Sequence, residues 1–330
     1  MKYSAKETNG TLNFQLTDVD KSFANALRRT LLGNIPIQVM KPEDCIIHTN
    51  TSRFTNEMIK LRLSCIPIHE TNITKSLTIT CNVRNDTSHT IHVTTEAFQQ
   101  PTLFPPITVY KKDRYIEWIR LRPEEEISFT CKTSVGTANQ CGAYNSVGTC
   151  SYGFTKDKEA SNRAWGEQPR QTTKEDWDCL DSKRYVVPRS FDFILESIGV
   201  FTNQELLLLA SSILILQLEQ CMDSLTITPT VTTIENCFDV ALTGDYAIQN
   251  ITIPMQGDYT IGKLLEYELY QQFIEKKITY VAFFKSHPHD TVGILRVASK
   301  NATTEDIRTM VKNASLACIE TCQSFIKLIR

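Results

Sequence analysis

The sequence predicts an α+β fold built from two similar strand–helix units, the first interrupted by a β-rich insertion. Three observations carry this prediction. Apolar residues recur at helical spacing near both ends of the chain, strand-like alternation clusters between residues 77 and 131, and the strand–helix plan of the first seventy residues returns over the last hundred. At 330 residues the chain has room for two or three domains of roughly 100–200 residues each.

Leu12, Phe14 and Leu16 alternate as one face of a strand. Asp18-Val19-Asp20 reads as a turn. Ser22 then caps a helix that Gly33 ends, with Phe23, Leu27 and Leu31 on one face. Pro36 opens a strand through Ile37 and Val39, and a second helix is predicted over Asn56 to Leu63, stopped by Pro67. From residue 71 the pattern becomes β-rich: Leu77, Ile79, Cys81 and Val83 alternate, then Ile91, Val93, Thr95 and Ala97, then Ile127, Phe129 and Cys131. Gly136 to Asp181 is rich in Gly, Asn, Ser and charge, and long loops are expected there.

Phe191, Phe193 and Leu195 make another strand. Thr202-Asn203-Gln204-Glu205 is a capping box, in which the Thr and Glu side chains satisfy each other's free backbone N–H groups, and it opens a helix to about Cys221. The Thr-rich stretch 223–236, with Pro229, is expected to link the units. Ile248, Ile251 and Ile253 lie in a β-prone segment, and Thr260 is expected to cap a helix carrying Ile261, Leu264, Leu265 and Leu269. Strands at Val281–Phe284 and Ile294–Val297 flank the turn His287-Pro288-His289-Asp290. A long last helix from about Thr304 carries Ile307, Val311, Ala314, Cys318, Cys322, Phe325 and Ile329 in steps of three and four. Two units of this kind can pack as a pseudo-dimer, each covering the helical face that the other exposes.

Charge and composition exclude several functions. Hydrophobic residues make up 41% and charged residues 22%, close to the globular average, which argues against disorder. Lys and Arg total 35 against 37 Asp and Glu, a net charge of -2, with no basic run longer than two residues. Holding nucleic acid by charge needs many cationic contacts to phosphate, so a free nucleic-acid-binding protein is disfavoured. The N-terminus has no apolar core of a secretory leader, and no uninterrupted apolar run reaches the length of a membrane span. The eleven cysteines are then expected as reduced thiols.

Three segments resemble a known family. Phe23-Ala24-Asn25-Ala26-Leu27-Arg28-Arg29-Thr30-Leu31-Leu32, followed by Ile35-Pro36, is similar to the first helix of the α-like subunits of DNA-directed RNA polymerase. Asn50-Thr51-Ser52, Glu57-Met58-Ile59 and Leu61 to Ile68 resemble the second helix of that family, and Phe193 to Leu218 its helical return. These segments look like the third subunit of eukaryotic polymerase II, its archaeal D counterpart and bacterial α. Gly257 to Leu269, with Lys285-Ser286-His287-Pro288, resembles the smaller partner, the eleventh subunit or its archaeal L counterpart. A chain joining both resembles the fused form of large cytoplasmic DNA viruses.

The resemblance implies an intramolecular pseudo-heterodimer of two α-like dimerisation units. Residues 1–70 and 182–222 would form the third-subunit-like unit, 71–181 the insertion, 223–236 the linker and 237–330 the eleventh-subunit-like unit. It also implies an assembly platform without catalytic residues. The largest and second-largest polymerase subunits and small subunits of the platform would be its partners; DNA and RNA would be met only through the complex, and no membrane. Asn25, Arg28, Arg29, Thr51, Arg53, Glu57 and Arg62 would face a large subunit. Phe23, Leu27, Leu31, Leu209, Ile213, Leu264, Leu265, Leu269, Ile307, Val311, Cys318 and Phe325 would build the pseudo-dimer contact. Joining the halves makes their association intramolecular, at an effective concentration of order mM for a short flexible linker.

No carboxylate cluster suited to two metals, no phosphate-binding Gly-rich loop with Lys and no nucleophile elbow occurs in the sequence. Relatives with a four-cysteine zinc cluster carry it in the insertion. Here Cys81, Cys131, Cys141 and Cys150 are too widely spaced for paired ligands, so no zinc and no other cofactor is expected. His287 and His289 read as a turn without a third ligand. A stand-alone cysteine-dependent enzyme is the rival reading, and it requires an accessible thiol of low pKa. The expected location is intracellular: cytoplasm or virion for a viral chain, nucleus for a cellular one.

Overall fold

The computed structural model describes residues 1–109, 112–167, 173–231, 236–242, 244–248, 251–255 and 259–330. Its first element is a hairpin. Strands β1 (Lys2–Thr8) and β2 (Thr11–Thr17) pair antiparallel around Asn9-Gly10, whose φ angles are 53° and 81°. Asn-Gly tolerates two successive positive φ values, and that turn matches the right-handed twist of the flanking strands. After Asp18, also at positive φ, helix α1 (Lys21–Gly33) begins. Its cap is Asp20, whose carboxylate accepts from the Ser22 N–H, rather than Ser22 itself; Asn34, not Gly33, closes the C-terminus.

Strand β3 (Ile37–Val39) leads to a second group of elements: β4 (Cys45–Asn50), α2 (Asn56–Ser64), β5 (Thr78–Arg84), β6 (Ile91–Thr94), β7 (Ile107–Val109), β8 (Lys112–Arg114), β9 (Glu117–Leu121), β10 (Glu126–Lys132) and β11 (Ser134–Gly136). Residues 95–97, expected to continue the alternation after Ile91, turn instead into a short 3-10 helix. The sheet order is β4-β10-β5, with β6 on β9, β7 on β8 and β11 returning to β3. This group has its own core, from Met40 to Cys131, centred on Phe98, Phe104, Trp118 and Phe129 packed edge-to-face.

Long loops were expected over 136–181, and the chain instead forms β12 (Val147–Lys156), α3 (Lys158–Glu167) and α4 (Lys174–Cys179). β12 pairs with β13 (Val186–Ser197), and β13 with β2, giving the order β1-β2-β13-β12. So a strand from within the range expected as insertion lies in the sheet of the N-terminal hairpin. Phe14 and Phe193 sit opposite each other and stack at 4.6 Å between centroids. Helix α5 (Asn203–Asp223) opens on the Thr202–Glu205 capping box. Its first residue fastens the hairpin: Asn203 Nδ2 donates to Glu7 Oε1 at 2.8 Å and to the Gly10 carbonyl at 2.9 Å.

The remaining elements are β14 (Thr226–Val231), β15 (Asn236–Leu242), β16 (Gly244–Ile248), β17 (Ile251–Met255), α6 (Tyr259–Phe273), β18 (Tyr280–Phe284), β19 (Gly293–Ser299) and α7 (Thr304–Ile329). Of the stretch expected as linker, residues 232–235 lie outside the described residues, and 226–231 form β14, paired with β15. The sheet order is β14-β15-β19-β18. Thr260 lies within the first turn of α6, not before it, and Gly257 and Asp258 fall outside the described residues. α7 starts at the Thr303–Asp306 capping box.

The helices α1, α5, α6 and α7 share one core with the N-terminal sheet and the β14–β19 sheet. α5 and α7 run antiparallel and are bonded at both ends. Gln204 Nε2 donates to the Ile329 carbonyl at 2.9 Å, and Arg308 Nη1 to the Leu225 carbonyl at 3.2 Å. α5 is long and apolar enough by composition to cross a membrane, but half of that stretch is buried here, against α1, α7 and β13. The overall class is α+β.

Candidate functional site

The residues singled out from the sequence fall in three places. Phe23, Leu27, Leu31, Ile213, Leu264, Leu265, Leu269, Ile307, Val311, Cys318 and Phe325 are buried together in the core shared by the four helices, and Leu209 packs against it half-buried. Phe325 is enclosed by rings from two other elements, Phe23 at 5.9 Å and Tyr3 at 5.8 Å, both edge-on. Each such aromatic pair adds about 0.5–1.5 kcal/mol beyond simple burial. Tyr3, which touches Phe14 as well, had no signal beyond the Asn9-Gly10 turn that places its strand.

Asn25, Arg28 and Arg29 lie on the half-buried flank of α1. Arg28 donates through Nε and Nη2 to Asn25 Oδ1 at 3.2 and 3.0 Å, so the two act as one rigid polar group. Arg29 Nε donates to Thr260 Oγ1 at 2.9 Å and ties α1 to α6. Near the start of α1, Asn25 lines a cavity of about 330 Å³ whose other walls include Tyr152, Tyr267 and Tyr270.

Thr51, Arg53, Glu57 and Arg62 lie on the other core group, around α2. Thr51 clasps the start of β10, its hydroxyl accepting from Glu126 N–H at 2.7 Å. Glu57 sits in the first turn of α2, where its own backbone N–H and then the Thr55 hydroxyl hold its carboxyl below the ordinary range. Arg62 Nε donates to the Trp118 carbonyl at 2.6 Å, and its guanidinium lies over the Phe54 ring at 5.5 Å. Arg53 and Arg62 line a cleft of about 560 Å³ together with Phe54, His92, Glu117, Arg120 and Arg122. Beside it, α2 exposes Met58 and Leu61, at 48% and 57% of their surface. The sequence motif pointed to α2. Arg120 and Arg122, which the β6–β9 pairing brings to the same cleft, carried no signal of their own.

Among the described residues no three His, Cys, Asp or Glu side chains come together in a way that could hold a metal. Burial pushes the Cys81, Cys150, Cys221 and Cys322 thiols up to about 12. Cys45 and Cys131, both free, face each other across β4 and β10, and a hydrogen bond between their thiols lowers the Cys45 pKa while raising that of Cys131.

No protein-family model matches the chain. Its sequence is nonetheless similar to subunits of DNA-directed RNA polymerases. Over 242 positions it is 24% identical to the DNA-directed RNA polymerase II subunit RPB3 of Schizosaccharomyces pombe, spanning 61% of this chain and 78% of that protein. It is 39% identical over 59 residues to the DNA-directed RNA polymerases I and III subunit RPAC1 of Homo sapiens, 18% of this chain and 16% of that protein. A third match, 38% over 63 residues, is to the DNA-directed RNA polymerase subunit Rpo3 of Pyrococcus horikoshii, 19% of this chain and 24% of that protein. The chain thus covers only a small part of the RPAC1 and Rpo3 relatives and most of RPB3.

Proposed function

We propose that this chain is a non-catalytic assembly platform of a multisubunit DNA-directed RNA polymerase, docking the two large catalytic subunits. The observation that carries the reading is the alignment with RPB3 along 78% of that protein. We read the chain further as a fusion of third- and eleventh-subunit types, as in large cytoplasmic DNA viruses. In this reading 1–70 with 182–222 pairs with 237–330 as a pseudo-heterodimer, 71–181 carries the insertion together with β12, which joins the first unit's sheet, and 223–236, which contains β14, links the units. Packing of α6 and α7 against α1 and α5 supports that pairing. Asn25, Arg28 and Arg29 on α1, and Thr51, Arg53, Glu57 and Arg62 around α2, are the proposed large-subunit surface, with small platform subunits as further partners. The platform uses no metal or cofactor, meets nucleic acid only through the complex, and works in the cytoplasm or virion, or in the nucleus of a cellular source.

The test is affinity purification of the tagged full-length chain from its native cells, with mass spectrometry of what co-purifies. Two very large chains in stoichiometric yield are expected; recovery of the chain alone would speak against the reading. Arg28→Glu is expected to weaken that co-purification while the chain stays folded. It is a cleaner probe than Arg29→Glu, because Arg29 also holds α6.

A further inference from the structure

We infer that the arginine cleft beside α2 binds a carboxylate-rich segment of a partner polypeptide; this rests on reading α2 as a docking face. Four guanidinium groups line the cleft, those of Arg53, Arg62, Arg120 and Arg122, against a single lining carboxylate, Glu117. Both oxygens of Glu117 are already engaged, one by Arg120 Nε and the other by His92 Nδ1 at 2.8 Å. Among the described residues no carboxylate pairs with the Arg53 or Arg122 side chain. Arg62 is preset by the bond from its Nε to the Trp118 carbonyl and by the Phe54 ring beneath its guanidinium. An arginine fork held this way matches a carboxylate bidentately with little further ordering.

The surroundings favour a peptide over nucleic acid. Half-buried Phe54 lines the cleft, and Met58 and Leu61 stand exposed on the helix beside it. Apolar side chains flanking the acidic groups of a peptide find cover there. A nucleic-acid strand instead needs a basic track of many phosphate contacts, and the cleft of about 560 Å³ has room for only a few side chains. Opposite charge at such a site speeds encounter and selects the partner more than it adds raw affinity.

The experiment measures binding of a fluorescein-labelled hexaglutamate peptide to the full-length chain by fluorescence anisotropy at low salt. The intact chain should bind, and Arg53→Glu combined with Arg122→Glu should weaken binding at least tenfold. Both arginines are exposed, and thermal unfolding checks that the variant is folded. If it is not, Arg53→Ala and Arg122→Ala singly take its place. Lys276→Glu with Lys300→Glu, the same charge change at a distant cavity, should leave binding within twofold. No binding by the intact chain, or an equal loss in the lysine control, overturns the inference. Displacement of the peptide by an oligothymidylate at lower concentration than by free hexaglutamate also overturns it, in favour of a phosphate site. The large subunits still co-purifying with an Arg53→Glu, Arg122→Glu chain would overturn the cleft as a docking point while leaving the platform reading intact. A wild-type chain that binds peptide but recovers no large subunits would fail the platform reading alone.

Discussion

Gly262 lies where α6 packs on β18, and an added Cβ there would run into the buried ring of Phe283. The ring is rigid and enclosed, so Gly262→Ala is expected to lower stability by about 1–3 kcal/mol. In a Phe283→Leu background the same change should cost clearly less; urea unfolding of the four proteins measures the difference. The thiols make a second residue-scale case. Cys81, Cys150, Cys221 and Cys322 hold their protons more tightly folded than unfolded, from an ordinary value of 9.0 up to about 12. Their contribution to stability is therefore complete below about pH 9 and declines as pH rises toward about 12. At pH 8, iodoacetamide should modify the exposed Cys65, Cys141 and Cys179 first, with those four protected until unfolding; peptide mapping reads the order. A uniquely fast-reacting thiol in the purified chain would revive the cysteine-enzyme reading. The buried role of most cysteines was legible, since they fall on alternating or helical apolar positions. The partner of Arg29 was not, because Thr260 lies 231 residues away.

At the scale of the element, α7 tests how far periodicity alone determines packing. Its stripe from Ile307 to Ile329 was readable in steps of three and four, and those residues are buried. Phe325→Ala removes a fully buried ring and its two edge-on partners, and is expected to cost about 3–5 kcal/mol. Thr303→Ala, which removes half of the capping box, should cost about 1 kcal/mol. Calorimetry of both variants should keep that ranking. Other elements were harder to read for identifiable reasons. β12 is the edge strand of its sheet and most of its residues face solvent; Cys150, Tyr152 and Phe154 do alternate, but this short signal sits among Gly, Ser and Thr in a stretch that otherwise reads as loop. β1 is likewise largely exposed, and the one signal for it was the Asn9-Gly10 turn. Asp20 rather than Ser22 caps α1, because its carboxylate accepts from the Ser22 N–H, one of the free N–H groups of the first turn.

For the whole molecule, the sequence offered two sets of helices with unpartnered apolar faces. Which helix met which was settled by contacts no local pattern carries, Arg29 with Thr260 and Gln204 with Ile329. If those faces hold the halves together, fragments 1–231 and 236–330 made in the same cell should co-purify one to one. The second fragment made alone should aggregate, because Leu264, Leu265 and Phe325 would be left uncovered; size-exclusion chromatography reads both outcomes. The same long-range closure bears on how the protein is made. The N-terminal hairpin meets β13 through pairs such as Gln15 and Asp192, 177 residues apart, and the ring that closes over Tyr3 from outside the hairpin lies near the end of α7. At 5–20 residues per second a ribosome takes roughly 10–40 s to go from Gln15 to Asp192, and longer to reach Phe325. Through that interval the nascent hairpin has an unpaired edge and an uncovered apolar face. Its yield in the cell is therefore tied to whatever shields it on the ribosome, and slowing elongation should shift the product from soluble to aggregated.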